Sequence, residues 1–417
     1  MPTLDTVAPS QAINTLSGSG HDALARVVEA HLGVTFPAIA LTVVQNGTVR
    51  FNGAWGWLDP ETASYPTQPD TLFDLASLSK LFTTTAFLTL VSEGWVRLGD
   101  PLVSIVPEFG ASGPRPLDGG QDPHSKAMLP IPDDARGQVA DPARVTFSHL
   151  LTHTSGLTPW RALYEAAGPP PPPPDEPDPL GRETRWARLL GALCRAPFVG
   201  QPGDGIVRYS DLGLMLLGEA TSRLHGTPGA LDAAIAARAL EPLALRSVTF
   251  NPLQHGCSRA TIAPTEDDPG WRGRRCWGEV HDENACGAGG VAGHAGLFGA
   301  ARDVAALGQA WLAGDPRLGI APALLRAATH QQARTGEIRR GLGWMLKAPL
   351  DSSAGDLFGP NSYGHTGFTG TSLWMDPERA LIVACLTNRV YPGRARPGIE
   401  AFRRAVHDVL VQAVEEL

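Results

Sequence analysis

The chain has 417 residues, of which 43% are hydrophobic, and carries a formal net charge of −8 at pH 7. This length predicts two or three domains with a large core, and the acidic balance argues against a nucleic-acid partner, which needs a basic surface. The longest apolar runs, Ala86–Val91 and Ala380–Leu386, are far below the ~18 residues that a membrane span requires. We therefore expect no membrane partner either.

The first residues give no sign of export. Met1–Gly20 contains Asp5 and lacks both a basic start and an apolar core, so it does not resemble a secretion signal. Five cysteines, an odd number, favour free thiols over a disulfide framework. These features predict a cytoplasmic protein whose residues 1–21 are disordered or loosely attached.

The chain then begins with a helix and two strands. Apolar side chains recur on one helical face of Asp22–Leu32, and two β runs follow, Ala38–Gln45 and Thr48–Trp55. Asn46-Gly47 between these runs is the strongest signal for a two-residue hairpin turn.

From Ser77 to about Ala328, helical segments alternate with loops rich in glycine and proline. The most apolar helix is predicted over Leu78–Trp95. Two stretches, residues 110–141 and 168–179, have the composition of loop insertions. The second contains an unbroken proline run, typical of a stiff polyproline II spacer at the surface.

The C-terminal part returns to β structure, with strands predicted over Gly367–Met375 and Ala380–Thr387 and an amphipathic helix from Ile399 to Leu417. We therefore predict a mixed α/β fold. One antiparallel sheet is built from both chain ends and flanked by the terminal helices, with a mostly helical domain inserted between. The predicted sheet domain comprises residues 22–76 and 330–417, and the helical domain residues 77–329.

The first candidate for chemistry is Ser77-Leu78-Ser79-Lys80, at the start of the apolar helix. Ser-x-x-Lys puts the ammonium one helical turn from the hydroxyl, on the same face, so the two side chains can touch. A lysine among apolar neighbours can have a lowered pKa and help to remove the serine proton. An N-cap serine followed by an exposed lysine would give the same sequence pattern. Lysine is rare in this chain, which contains only Lys80, Lys126 and Lys347, so a motif that includes a lysine is more significant.

The second candidate, Tyr209-Ser210-Asp211, lies between a loop rich in glycine and a predicted helix, Leu212–Leu224. A tyrosine at such a junction can project its hydroxyl into a cleft, and a phenol beside a lysine can act as a base. Taken alone, a half-buried packing tyrosine is the commoner interpretation.

The third candidate is the segment Gly364–Ser372, which includes His365-Thr366-Gly367-Phe368 and leads into a strand. Small residues along an edge strand let an extended substrate approach the backbone, and strand N–H groups can polarise a carbonyl. An ordinary glycine-rich turn explains the pattern equally well on its own.

In this order, the three motifs resemble the serine β-lactamase and penicillin-binding-protein superfamily, in particular its class C β-lactamase and β-lactamase-like esterase branch. The signature of that family is Ser-x-x-Lys, then Tyr-x-Asn, then Lys-Thr-Gly. Thr146–Leu157 and Gly289–Phe298 are similar to the same branch, and the resemblance covers about residues 22–415. It implies a β-lactamase/transpeptidase-like fold.

The resemblance also implies a role for each motif residue. Ser77 would be the nucleophile, and Lys80 and Tyr209 would share the role of general base. The backbone N–H groups of Ser77 and Phe368 would form the oxyanion hole. Further substrate contacts would come from Asp211, His365, Thr366 and Gly367. No metal or organic cofactor is implied.

Two residues depart from the family pattern, since Asp211 replaces an asparagine and His365 replaces a lysine. A largely neutral histidine gives a weaker positive field than lysine, so Tyr209 should be harder to ionise. We therefore expect a serine hydrolase that forms an acyl-enzyme on a small ester or amide, of the esterase or D-amino-acid peptidase type. The alternatives are a true class C-like β-lactamase, acting on β-lactams, and a catalytically silent homologue that binds a ligand or partner.

Three other patterns are weaker. His149 and His153 are spaced like a zinc pair but lack the glutamate of a metalloprotease helix. Gly287–Ala292 resembles a dinucleotide-binding fingerprint, but no predicted strand precedes it. No common zinc module has the spacing of Cys276, His281, Cys286 and His294.

Overall fold

The computed structural model describes residues 12–416. The helices in this part of the chain are α1 Gly18–His31, α2 Ser79–Ser92, α3 Phe147–Thr152, α4 Tyr164–Ala167, α5 Gly181–Leu193, α6 Asp211–Leu224, α7 Leu231–Ile235, α8 Glu241–Leu243, α9 Glu283–Gly287, α10 Ala301–Ala313, α11 Pro322–Thr329 and α12 Ile399–Glu415. The strands are β1 Ile13–Asn14, β2 Ala38–Gln45, β3 Thr48–Asp59, β4 Ser64–Pro66, β5 Phe73–Asp74, β6 Arg115–Pro116, β7 Val139–Ala140, β8 Thr249–Phe250, β9 Asp267–Asp268, β10 Arg274–Arg275, β11 Leu297–Gly299, β12 Ala333–Thr335, β13 Ile338–Arg340, β14 Met345–Leu346, β15 Tyr363–Thr366, β16 Ser372–Asp376 and β17 Leu381–Thr387.

Ten strands form one antiparallel sheet, in the order β1-β3-β2-β17-β16-β15-β14-β13-β12, with β4 paired to β3. The two ends of the chain meet in its centre, where β2 and β17 pair from Gln45 opposite Leu381 to Ile39 opposite Thr387. The predicted fold class, a mixed α/β fold with an antiparallel sheet built from both chain ends, is therefore confirmed.

The predicted hairpin between β2 and β3 is confirmed. Asn46 and Gly47 have φ of 51° and 75°, as a type I′ turn requires at both central positions. Strand β3 runs on to Asp59 rather than ending at Trp55.

The terminal helices α1 and α12 pack against each other on one face of the sheet. Their apolar residues, among them Leu24, Val28, Phe402, Val406 and Leu410, are buried together with the side chains on that face of β2 and β17. Each such leucine or phenylalanine stabilises the fold by about 1.5–3 kcal/mol. The two ends of the chain are thus joined through helices as well as strands.

On the other face, α10 packs against β2, β16 and β17. It approaches closely because Gly308 has no side chain: a Cβ there would lie 3.0 Å from Ile382 and 3.1 Å from Leu373. Helix α2 is buried throughout Ser79–Leu90 and packs against α6. This contact brings together the segments that precede the two helices.

Two predictions about local structure are wrong. Residues 12–21 are not loosely attached, because β1 pairs with β3 and α1 begins at Gly18; residues 1–11 lie outside the described residues. The strand predicted over Gly367–Met375 begins only at Ser372, as β16, and the residues before Ser372 form the turn that joins β15 to β16. The chain reverses between them at Gly370, whose φ of 109° suits only glycine.

The two predicted loop insertions contain little regular structure. Residues 110–141 form the short pair β6 and β7, and the proline-rich residues 168–179 form no helix or strand. The proline-rich loop is bonded to its surroundings, since Arg185 and Arg274 donate hydrogen bonds to proline carbonyl oxygens.

No helix within residues 12–416 combines the length and apolarity needed to cross a membrane. The division into a sheet domain and a helical domain remains a prediction.

Candidate active site

Ser77 lies in a tight turn between β5 and α2. The buried carboxylate of Asp74 accepts a hydrogen bond of 2.8 Å from the N–H of Ala76. Ala76 has a φ of 46°, a left-handed conformation that is costly for a residue with a side chain. A 3-10 turn, Ala76–Leu78, then leads into the helix, so Ser77 precedes α2 rather than belonging to it.

Lys80, in the first turn of α2, has only 1% of its surface exposed. Its Nζ lies 2.8 Å from Ser77 Oγ, 3.0 Å from the carbonyl oxygen of His294 and 2.8 Å from Asp211 Oδ1. Two of the ammonium protons are therefore hydrogen-bonded, whereas Asp211 is an ion-pair partner whose Oδ1 accepts no hydrogen bond within residues 12–416. Burial lowers the pKa of Lys80, but the neighbouring Asp211 and Tyr209 more than offset it, and the pKa lies above its usual value. Lys80 is thus an ammonium ion at neutral pH.

Tyr209 immediately precedes the N-cap of α6, Ser210, whose Oγ accepts a hydrogen bond from the N–H of Gly213. The Tyr209 hydroxyl donates a hydrogen bond of 2.9 Å to Ser77 Oγ. Burial raises the pKa of Tyr209, while the charge of Lys80 opposes the rise. Ser77 Oγ therefore contacts both the ammonium and the phenol, and the two motifs that are 132 residues apart in the chain meet at one atom.

The turn between β15 and β16 is bonded to the chain that leads to Ser77. Thr369 Oγ1 donates a hydrogen bond of 2.7 Å to the carbonyl oxygen of Asp74, and Thr371 Oγ1 donates one of 3.0 Å to that of Leu75. These two bonds fix the turn beside the nucleophile. The predicted edge strand is only partly exposed along its edge, because β14 pairs with the first half of β15.

His365 is buried, and its Nδ1 lies 2.8 Å from the carbonyl oxygen of Thr366. Because a carbonyl can only accept, Nδ1 carries the proton; Nε2 has no hydrogen-bond partner within the described part of the chain. Burial lowers the pKa of His365 well below its usual value. The histidine at the position of the family's lysine is therefore neutral.

A positive charge that the sequence does not reveal lies nearby. The guanidinium of Arg340, on β13, is 5.3 Å from the centre of the Tyr209 ring and is buried. Its Nε and Nη1 have no hydrogen-bond partner among residues 12–416. Arg340 was missed because nothing in the sequence distinguishes it from the many other arginines, and only the pairing of β13 with β14 brings it here.

Ser77, Tyr209 and Asp211 line a cleft that, together with the open solvent at its mouth, has a volume of about 840 Å³. We call Ser77, Tyr209 and Asp211, with Lys80 behind them, the catalytic wall. We call another group of lining residues the outer wall: His124, His281, Asp282, His294 and Phe368.

The outer wall comes from three segments of the chain. The ring of Phe368 lies between those of His124 and His281, at centroid distances of 5.4 and 5.6 Å, so the 110–141 insertion contributes to the site. Of the residues predicted on the third motif, Phe368 lines the cleft, whereas its neighbours His365, Thr366 and Gly367 are not among the lining residues of the described chain. Apart from Phe368 in the third motif and His294 in the Gly289–Phe298 stretch, no sequence motif identifies the residues of the outer wall.

The residues weighed as metal ligands have other partners. His149 Nδ1 accepts a hydrogen bond from the N–H of Thr146, and His153 Nδ1 accepts one from the N–H of Ser210 beside Tyr209. The sulfur atoms of Cys276 and Cys286 both contact the guanidinium of Arg272. His281 and His294 each pair with a carboxylate.

Comparison with known proteins shows the family to which the chain is similar. A family model described as "Beta-lactamase" matches residues 24–408. The chain is 30% identical over 395 residues to a putative D-alanyl-D-alanine carboxypeptidase of Escherichia coli K12, covering 89% of this chain and 83% of that protein. Among solved structures, it resembles EstCE1, a hydrolase with promiscuous acyltransferase activity, with a TM-score of 0.67, 20% identity and coverage of 94% and 98%. The class C beta-lactamase of Rhodobacter sphaeroides gives a TM-score of 0.63, 19% identity and coverage of 95% and 100%.

Proposed function

Because this chain belongs to the beta-lactamase family of serine hydrolases, we propose that it hydrolyses a small ester or amide through an acyl-enzyme on Ser77, as an esterase or a D-amino-acid-type peptidase. One observation supports this most strongly: Ser77 Oγ contacts both Lys80 Nζ and the Tyr209 hydroxyl at the wall of a cleft. A nucleophile touching its proton acceptor is the arrangement that serine catalysis requires.

In the proposed reaction, the phenolate form of Tyr209 takes the proton of Ser77 as Oγ bonds to the carbonyl carbon of the substrate. The carbonyl electron pair moves to oxygen, where the N–H groups of Ser77 and Phe368 stabilise it. The oxyanion then collapses, and the leaving group departs with the proton from Tyr209. Water then attacks the acyl-enzyme as Tyr209 takes one of its protons. When the second oxyanion collapses, Ser77 Oγ leaves and regains a proton from Tyr209.

Lys80 and Tyr209 share the work of the general base in this scheme. Lys80 stays charged because Asp211 is its ion-pair partner, and its charge stabilises the phenolate. Arg340, at 5.3 Å from the Tyr209 ring, adds positive potential on another side. The same charge favours the second candidate, hydrolysis of β-lactams, because it partly replaces the missing lysine at position 365.

The test is a hydrolysis panel of a short-chain p-nitrophenyl ester, a D-Ala-D-Ala peptide and a chromogenic cephalosporin. We expect the ester or peptide to be turned over faster than the cephalosporin and all activity to disappear in Ser77→Ala. Ser79→Ala is the matched control, since Ser79 Oγ accepts a hydrogen bond from Leu297 N instead of facing the cleft. Faster turnover of the cephalosporin would favour the β-lactamase, and no turnover of any substrate would favour a silent binding protein.

We also propose that the protein works in a reducing compartment, the cytoplasm. The supporting observation is that Cys194, Cys257, Cys276, Cys286 and Cys385 are all free thiols. Cell fractionation tests this, and recovery in an oxidising compartment would contradict it.

A further inference from the structure

The outer wall contains a carboxylate–imidazole pair directly beside the nucleophile. Asp282 Oδ1 lies 2.8 Å from Nε2 of His294, and the two side chains are 22% and 1% exposed. Lys80 Nζ donates hydrogen bonds both to Ser77 Oγ and to the main-chain oxygen of His294. The main chain of His294 is therefore linked to the reacting serine through one ammonium group.

Both members of the pair present hydrogen-bond acceptors. Burial opposes ionisation of Asp282, but His294, the N–H of Ala285 and the charge of Lys80 more than offset burial and hold its pKa well below the usual value, so it is a carboxylate. Because the carboxylate accepts, Nε2 of His294 is the ring nitrogen that donates, and Nδ1 is the ring nitrogen that takes no part in the pair. That buried Nδ1 has no partner in the part of the chain that the structure describes, although His294 lines the cleft.

The other carboxylates around the cleft are neutralised by basic side chains. Asp211 pairs with Lys80 at 2.8 Å. Glu283 pairs with Lys126 at 3.4 Å and with Arg394 at 3.0 Å.

Asp282 differs from these carboxylates. Within residues 12–416, it has no lysine or arginine partner and is bonded by an imidazole and a main-chain N–H. The aromatic ring of Trp160, which lines the same cleft, offers a face that attracts cations. A ligand group with N–H donors and a positive charge would satisfy the carboxylate and the unpaired Nδ1.

We propose that Asp282 and His294 form a subsite for a protonated amino group close to the scissile carbonyl, so that the preferred substrates are aminoacyl esters or amides. This inference rests on the proposed acyl-enzyme function of Ser77. It predicts that neutral and N-acylated acyl groups are poor substrates, because they leave the Asp282 carboxylate and His294 Nδ1 without a donor.

The experiment compares methyl esters that differ only in the amine: D-alanine, L-alanine, N-acetyl-D-alanine and propionic acid. Each kcat/KM is divided by the hydroxide-catalysed rate of the same ester, because the ammonium group also activates the carbonyl. We expect at least a tenfold preference for a free-amine ester over the propionate in the wild-type protein. We expect this ratio to fall at least tenfold in Asp282→Asn, which keeps an acceptor for the N–H of Ala285 at the start of α9.

The control is Asp133→Asn, an exposed carboxylate in the 110–141 insertion, in which the ratio should not change. A wild-type ratio near one, or a ratio that Asp282→Asn leaves unchanged, would overturn the subsite.

If Asp282→Asn does not fold, a second experiment tests the subsite in the wild-type protein, by protection of Ser77 from a fluorophosphonate. D-alaninamide should protect Ser77 more strongly than propionamide, and equal protection would overturn the subsite. Hydrolysis of the propionate ester through Ser77 without amine preference refutes only the subsite, whereas no acylation of Ser77 by any ester refutes the proposed function as well.

Discussion

The two walls of the cleft differ in how they are built and in how their charges are balanced. The catalytic wall lies at the N-terminal ends of two packed helices, and its cation, Lys80, is hydrogen-bonded to Ser77 and to the main chain of His294 and ion-paired with Asp211. The outer wall comes from connecting segments, and it leaves Nδ1 of His294 without a partner among residues 12–416. A wall built on helix ends suits a reaction that is the same for every substrate, while groups on connecting segments suit selection among substrates.

The largest effect should follow from breaking the catalytic wall at Lys80. Lys80→Met keeps the length of the side chain but removes the donor to Ser77 and leaves Asp211 without its counter-ion. We expect kcat/KM for the best ester to fall by about 10³-fold or more. Lys347→Met is the matched control, because that Nζ donates only to the main-chain oxygen of Asp356 at the surface. Retention of more than a tenth of the activity in Lys80→Met would mean that the lysine is not part of the base.

A smaller effect should follow from moving the third motif away from the nucleophile. A Cβ on Gly367 would lie 2.1 Å from Thr371 Oγ1 and 2.7 Å from the carbonyl oxygen of Leu75. In Gly367→Ala the turn must therefore shift, and the N–H of Phe368 shifts with it. We expect kcat to fall about 10²-fold, the typical loss for one oxyanion-hole donor, with a smaller change in KM.

Gly99→Ala is the control for this change, since a Cβ there has no neighbour within 4 Å among the described residues. Thermal unfolding should be measured alongside the kinetics. An unchanged kcat in a folded Gly367→Ala protein would remove Phe368 from the proposed oxyanion hole.

The smallest effect is a shift of the pH profile, and its direction depends on the charge removed. The pKa values of Lys80 and Tyr209 are both raised, so the basic form accumulates only above neutral pH and kcat/KM should rise toward alkaline pH. Asp211→Asn removes a negative charge and should move this rise to lower pH. Arg340→Gln removes a positive charge near the phenol and should move it to higher pH. Shifts in the same direction would contradict Tyr209 as the base.

The sequence predicts the sheet and the catalytic wall because both have local patterns. The Asn46-Gly47 turn and the apolar β2 and β17 determine the central pairing, and the first two motifs place Ser77, Lys80 and Tyr209 at helix starts. Arg340 and Asp282 have no such pattern, since only strand pairing brings Arg340 to the Tyr209 ring and only the packing of long loops brings Asp282 to the cleft. The hydrogen bonds of Thr369 and Thr371 to the β5 segment are likewise long-range contacts that no periodicity contains.

The most direct measurement is the intact mass of the protein after treatment with a fluorophosphonate, followed by mapping of the labelled peptide. A side chain whose hydroxyl is in contact with an ammonium and a phenol should react, whereas ordinary serines do not. We predict one adduct, on Ser77, that is absent from Ser77→Ala and present in Ser79→Ala. An adduct that persists in Ser77→Ala, or a wild-type protein that takes up no label, would contradict the assignment of Ser77 as the nucleophile.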